Sequence, residues 1–280
     1  MAKRLASLTA AVTAAMVIGA LLLAGGAGAA GSLPTMKVAL TGTHGVAISG
    51  STVSGAVDVV STFKGKVPHG SHVGPALGLV RLHEGVSLPQ AFAAVQRSHG
   101  DINALTPYGT LIVSATAPGT LQTVLTPGNY VALNLTGNGQ PGAMPFTVTP
   151  SSSPAALPRA RTTQTAIDFA FRGPTVLHDG TIVRAVNGGY LVHMIDLIGV
   201  RNAATGRRIV ALLRAGKDHQ AERLASRRFV NLLGPASPGA LQQQALHTKP
   251  GYYVEACFMT TQDGREHTRL GMERLVRVVK

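Results

Sequence analysis

Apolar and polar positions alternate with a period of two along much of the chain. Ser54-Gly55-Ala56-Val57-Asp58-Val59-Val60 and Asp179-Gly180-Thr181-Ile182-Val183-Arg184-Ala185-Val186 each leave a Gly turn and read as strands. Tyr190–Leu197 and Gly251–Cys257 are further strand-like runs. Helical spacing breaks this pattern in two places. Leu88 to Ser98, capped by Ser87, puts Leu88, Phe92 and Val95 on one face. Arg207 to Ala215 and Asp218 to Phe229 form the second such stretch, with Asp218 as N-cap. The pattern predicts a mainly β chain with a helical segment in each half.

The halves echo each other across a Ser/Pro-rich stretch at 150–160, which reads as an extended linker. Thr126-Pro127-Gly128-Asn129-Tyr130-Val131-Ala132-Leu133-Asn134-Leu135 matches Lys249-Pro250-Gly251-Tyr252-Tyr253-Val254-Glu255-Ala256-Cys257-Phe258. Ala76–Arg81 matches Met194–Gly199 in the same way. The expected division is 36–149 and 161–280, each a β-sandwich with a helical insertion.

Composition supports turns and strands: aromatics make up 4%, tryptophan is absent, and there are 33 glycines and 16 prolines. The net charge of +13 is uneven. Residues 36–150 hold five basic and three acidic residues, whereas 159–280 hold eighteen and nine. A basic exported region suits an acidic redox partner or an anionic cell-envelope surface. Nucleic acid is not expected, because acids intersperse the arginines and few aromatics accompany them.

At the N-terminus, Lys3 and Arg4 precede the apolar run Leu5 to Leu23, and Ala27-Gly28-Ala29 supplies a small-x-small cleavage site. Residues 1–30 are therefore expected to be a signal peptide, leaving a secreted or envelope protein with no further membrane span. A retained anchor is the alternative, since the run approaches spanning length.

Candidate chemistry gathers late in the chain. Cys257 is the sole cysteine, so no intramolecular disulfide is available, and an exported free thiol calls for burial or ligation. One reading makes it a buried, inert small hydrophobe. The other groups it with His267, Met272 and the upstream His193, because thiolate and imidazole ligands with a weak Met suit copper. Glu255 shares a strand face with Cys257 and would need a partner such as an arginine if buried. His69-Gly70-Ser71-His72 offers a looser metal pair, although histidines in Gly/Ser loops usually face solvent. No Gly-x-Ser-x-Gly elbow, Walker loop, His-x-His or His-Cys-His motif occurs, and no catalytic activity is expected.

These residues resemble the cupredoxin superfamily, in particular exported domains of the plastocyanin and azurin kind. The resemblance rests on Asn187 followed by His193, on Pro250-Gly251-x-Tyr253-x-x-x-Cys257, and on His267-x4-Met272 ahead of a closing strand with Val276 and Val278. It implies two tandem Greek-key β-sandwiches. One copper ion would be held in the second by His193, Cys257 and His267 with Met272 axial, and the function would be electron transfer or copper handling. The first copy lacks the set, with Asn134 at the Cys257 position and Pro75 near that of His193. Nine residues separate Cys257 from His267, more than is usual in small blue-copper proteins. A metal-free module acting on cell walls or surfaces through the basic second half is the alternative function.

Overall fold

The computed structural model describes residues 32–69, 74–137 and 139–280; the expected signal peptide lies outside them. The first half supplies strands β1 Thr35–Thr41, β2 Gly45–Gly50, β3 Gly55–Lys64, β4 Ala76–Leu82, β5 Gly109–Thr116, β6 Gly119–Leu125, β7 Gly128–Asn134 and β8 Gly142–Val148. Helix α1 Leu88–Arg97 and a 3-10 turn, Ile102–Leu105, fall between β4 and β5. The second half supplies β9 Thr162–Ile167, β10 Ala170–Arg172, β11 Val176–His178, β12 Ile182–Asn187, β13 His193–Val200, β14 Phe229–Ala236, β15 Leu241–Ala245, β16 Gly251–Ala256 and β17 Glu273–Val279. Helices α2 Ala203–Arg214 and α3 Asp218–Leu224 fall between β13 and β14, and a second 3-10 turn, His267–Leu270, precedes β17.

The chain is mainly β, and its halves follow one strand order. In the first, β2-β1-β3-β6 faces β5-β4-β7-β8; in the second, β10-β9-β12-β15 faces β14-β13-β16-β17, with β11 added at the edge. Alternation drives each sandwich. Met36, Val38 and Leu40 point inward from β1 to meet Leu79, Val113 and Ala132 from the facing sheet. Val183 and Ala185 of β12 do the same against Ile195, Leu197 and Tyr253.

The helical insertions explain why β7 and β16 lose alternation and become buried on both sides. Ala91 of α1 packs with Val131 and Leu133, while Ile209 and Leu213 of α2 pack with Val254 and Ala256. Each of the Val, Leu and Ile side chains removed from water here contributes about 1.5–3 kcal/mol, and each alanine less.

Element ends differ from expectation for local reasons. Helix α2 begins earlier, at Ala203, because Asn202 caps it by accepting from the Thr205 amide at 2.9 Å. Asp218 is the first residue of α3 instead of its cap, and α3 stops at Leu224, where the chain turns towards β14. The strand expected from Tyr190 begins only at His193.

The halves are tied together, and Ser32–Lys280 pack as one compact unit. Strands β15 and β6 join their two sheets into an eight-stranded one at Gln243 and Gln122, whose amides bond at 3.0 Å. Residues 150–160 have no regular structure yet are held: the Ala155 carbonyl accepts from the Ala56 amide at 2.8 Å, and that of Pro158 from Gln243 Nε2 at 2.9 Å.

Candidate metal centre

Strand β16 starts at Gly251, whose φ of 152° disfavours any L side chain. Two residues on, the buried Tyr253 hydroxyl donates to the Lys249 carbonyl at 2.5 Å and lies 2.9 Å from Thr248 Oγ1, which fixes the strand entry. Cys257 follows the last strand residue, fully buried, and its sulfur accepts from the Met194 amide at 3.4 Å.

The long spacing to His267 is absorbed by a small excursion. The Thr261 amide donates to the Arg265 carbonyl at 2.9 Å, and Gly264 turns the chain with a φ of 79°. Thr260 and Glu266 form an isolated bridge, and the His267 amide returns to the Met259 carbonyl at 2.8 Å. The nine-residue insert therefore brings His267 back beside Cys257. Met272 is fully buried; its amide donates to the His267 carbonyl at 3.0 Å and its carbonyl accepts from the Cys257 amide at 3.1 Å.

His193 comes from the start of β13. Buried Asn187 shapes the approach, donating from Nδ2 to the Leu191 and Ala236 carbonyls at 2.8 and 2.7 Å and accepting from the Gly189 amide. Asp168, in the turn between β9 and β10, accepts from the Tyr190 and Leu191 amides and lies 2.9 Å from His193 Nε2. Those bonds keep Tyr190 out of the strand, 90% exposed. With Nε2 donating to a carboxylate, Nδ1 of His193 is left to present a lone pair inward.

Three donor atoms converge. His193 Nδ1 lies 3.1 Å from His267 Nδ1, and Cys257 Sγ lies 3.8 and 3.4 Å from these two nitrogens. All three residues are inaccessible to solvent, and they form a compact cluster of potential metal ligands. The three separations place a point about 2.0 Å from every donor, close to a metal–imidazole length of about 2.0–2.1 Å and slightly short of the roughly 2.3 Å of a metal–thiolate bond.

Electrostatics keep the cluster uncharged near neutrality. Burial pushes the Cys257 thiol up to about 12, against the smaller opposing pull of the Met194 and Met259 backbone. Burial and the neighbouring His193 push His267 down to about 4. His193 also lies below its ordinary value through burial, although Asp168 pulls the other way. For Asp168, burial works upward but the bonds to His193, Tyr190 and Leu191 outweigh it and hold the carboxyl low. A thiol this weakly acidic and fully buried is not poised for nucleophilic attack. Buried His267 Nε2 has no hydrogen-bond partner among the described residues, and the ring meets Phe169 edge-on, with centroids 5.4 Å apart.

Glu255, also buried, has the arginine it requires. It pairs with Arg274, its cross-strand partner on β17, which donates in turn to Gln164 Oε1 at 2.8 Å and to the Gly173 carbonyl at 3.1 Å. Burial still holds this carboxyl above its ordinary value. His69 is exposed, and its possible partner His72 lies outside the described residues. Asp168 had no signal in the sequence beyond an acidic residue in a turn.

No family model and no curated protein matches this sequence. Among solved structures, reduced auracyanin from Roseiflexus castenholzii aligns at 15% identity and a TM-score of 0.27, over 44% of this chain and 100% of its own. Auracyanin A, a blue copper protein from Chloroflexus aurantiacus, aligns at 17% and 0.23, over 42% and 99%. Copper nitrite reductase from Nitrosomonas europaea aligns at 10% and 0.24, over 88% and 93%. TM-scores this low leave the fold and the site to be argued from this chain's own residues.

Proposed function

We propose that the protein is an exported, non-catalytic copper protein built from two cupredoxin-like sandwiches, the first without ligands. It binds one copper ion through His193, Cys257 and His267, with Met272 as the weak fourth ligand. The observation that carries this reading is the convergence of one sulfur and two Nδ1 atoms on fully buried side chains. Copper held by one thiolate and two imidazoles supplies one-electron chemistry. The chain's part is to keep water out, to fix His193 through Asp168, and to give up the Cys257 proton on loading. Electron transfer is the favoured role, and copper handling would use the same donors.

The partner is proposed to be acidic. Residues 201–228 carry eight basic and two acidic residues, and Arg201, Arg207, Arg208, Lys217, Arg223 and Arg227 are exposed. Their charge favours encounter with an anionic surface through screened long-range attraction. The same observation favours the second reading, a metal-free envelope-binding module. None of the described helices is long and apolar enough to cross a membrane.

Adding Cu(II) to the purified protein tests the proposal. An intense visible thiolate-to-copper band that disappears in Cys257→Ser is expected. Folded protein without the band overturns copper binding by this set. Binding to anionic vesicles that weakens with salt and needs no copper would support the second reading.

A further inference from the structure

The first sandwich reaches into the site that it does not itself contain. Its 3-10 turn Ile102–Leu105 carries Asn103, only 7% exposed. Asn103 Oδ1 accepts from the Val192 amide at 2.7 Å, one residue before His193. Nδ2 donates to the Thr260 carbonyl at 3.2 Å, inside the excursion between Cys257 and His267. One side-chain amide thus holds both chain segments that bring ligands to the cluster.

Its orientation is dictated. Asp101 Oδ1 accepts from the Asn103 amide at 2.9 Å and from Asn103 Nδ2 at 2.8 Å. The Val192 amide can only donate, so Oδ1 must face it and Nδ2 is left to face Asp101 and Thr260. The contact is also backed by a rigid seam. The Leu111 amide donates to Ser237 Oγ at 2.9 Å, and the Ser237 amide donates to the Leu111 carbonyl at 3.0 Å. At Gly234 a Cβ would fall 1.9 Å from the Ser114 carbonyl oxygen, so the two halves meet there backbone to backbone.

We infer that Asn103 is a positioning residue for the metal centre, setting the separation of His193 from the Cys257–His267 loop across the junction of the two sandwiches. The inference rests on the copper reading for its purpose, but not for its first measurement. In metal-free protein, Asn103→Ala should make the amides of 192–194 and of 258–267 exchange with deuterium about tenfold faster or more, as the loss of a buried hydrogen bond implies. Asn103→Asp keeps an acceptor for Val192 but loses the donor to Thr260 and sets a second carboxylate against Asp101, so it should loosen 258–267 at least as much as Asn103→Ala does.

With Cu(II), both variants should bind but show a displaced thiolate-to-copper band and faster loss of copper to a chelator. A contact serving stability alone would leave the band of the folded variant where it is in wild type. Unchanged exchange in both segments of Asn103→Ala overturns the inference. Should that variant not fold, Asn103→Asp and Asp101→Ala carry the test under the same criteria. If wild type binds no copper, the proposed function fails while the exchange result still judges the brace.

Discussion

The same strand entry is built twice and finished in two ways. Gly128 and Gly251 both start a strand at high positive φ, and Tyr130 and Tyr253 both bond back to the turn four residues upstream. Six residues after each glycine the copies part. In the first half Asn134 is buried and bonded: Nδ2 donates to the Gly42 and Gly45 carbonyls at 3.0 Å, and Oδ1 accepts from the Thr136 amide at 3.1 Å. In the second half the equivalent position holds a thiol facing two imidazoles, and His267 Nε2 has no partner among the described residues. Native interiors rarely leave buried polar groups unmatched without a reason. In the first corner the Asn134 amide is satisfied by protein atoms; in the second the Cys257 sulfur and the two Nδ1 atoms face one another.

Exchanging the finishing residues gives the largest expected effect. Cys257→Asn should eliminate the thiolate band and tight copper binding altogether, whereas Asn134→Cys should create neither, because Pro75 stands where His193 would be needed. Optical titration of the two variants checks both outcomes, and a blue Asn134→Cys protein would break the comparison. Next comes Asp168→Asn, which weakens the acceptor on His193 Nε2. Copper affinity measured by competition should fall about 10–100-fold, the usual effect of altering an outer-shell partner.

Acidity should act more gradually. Cys257 must lose a proton to bind and its thiol lies at about 12, so apparent affinity should rise with pH by up to about tenfold per unit through neutrality. Below about 4 the protonation of His267 should steepen the fall. A pH-independent affinity would mean that Cys257 is not a ligand. The smallest effect belongs to the shared feature. Tyr130→Phe and Tyr253→Phe should each lower stability by about 1 kcal/mol in urea unfolding, and only the second should alter the copper spectrum.

A further pH effect lies on the outer face of β13. Burial raises Asp196 to about 7 against the bond from Asn231. Its folded value lies above its unfolded one, so its stabilising contribution is present at low pH and is lost as pH rises through about 7. Asp196→Asn should accordingly gain stability over wild type between pH 5 and 8, as thermal melting would register.

The sequence made legible what local pattern encodes. Alternation marked the strands, and Pro-Gly-x-Tyr marked the strand entry in both halves, leading to Asn134 in the first and to Cys257 in the second. What stayed hidden was long-range. Asp168 reaches His193 from 25 residues away and Asn103 reaches Thr260 from 157 away, each out of a turn with no periodicity to announce it. Tyr190 sat in an apolar run and looked like strand until the Asp168 carboxylate claimed its amide.

Neither imidazole edge meets solvent, and this bears on timing. An ion seated among enclosed donors can enter or leave only when a neighbouring segment swings aside, so its residence time follows the opening rate of that segment and not the strength of the bonds alone. Of the surrounding chain, the excursion from Phe258 to Glu266 carries the exposed residues Phe258, Asp263 and Arg265. Exchange with the medium would therefore be governed by a door nine residues long, hinged on a side chain from the other sandwich.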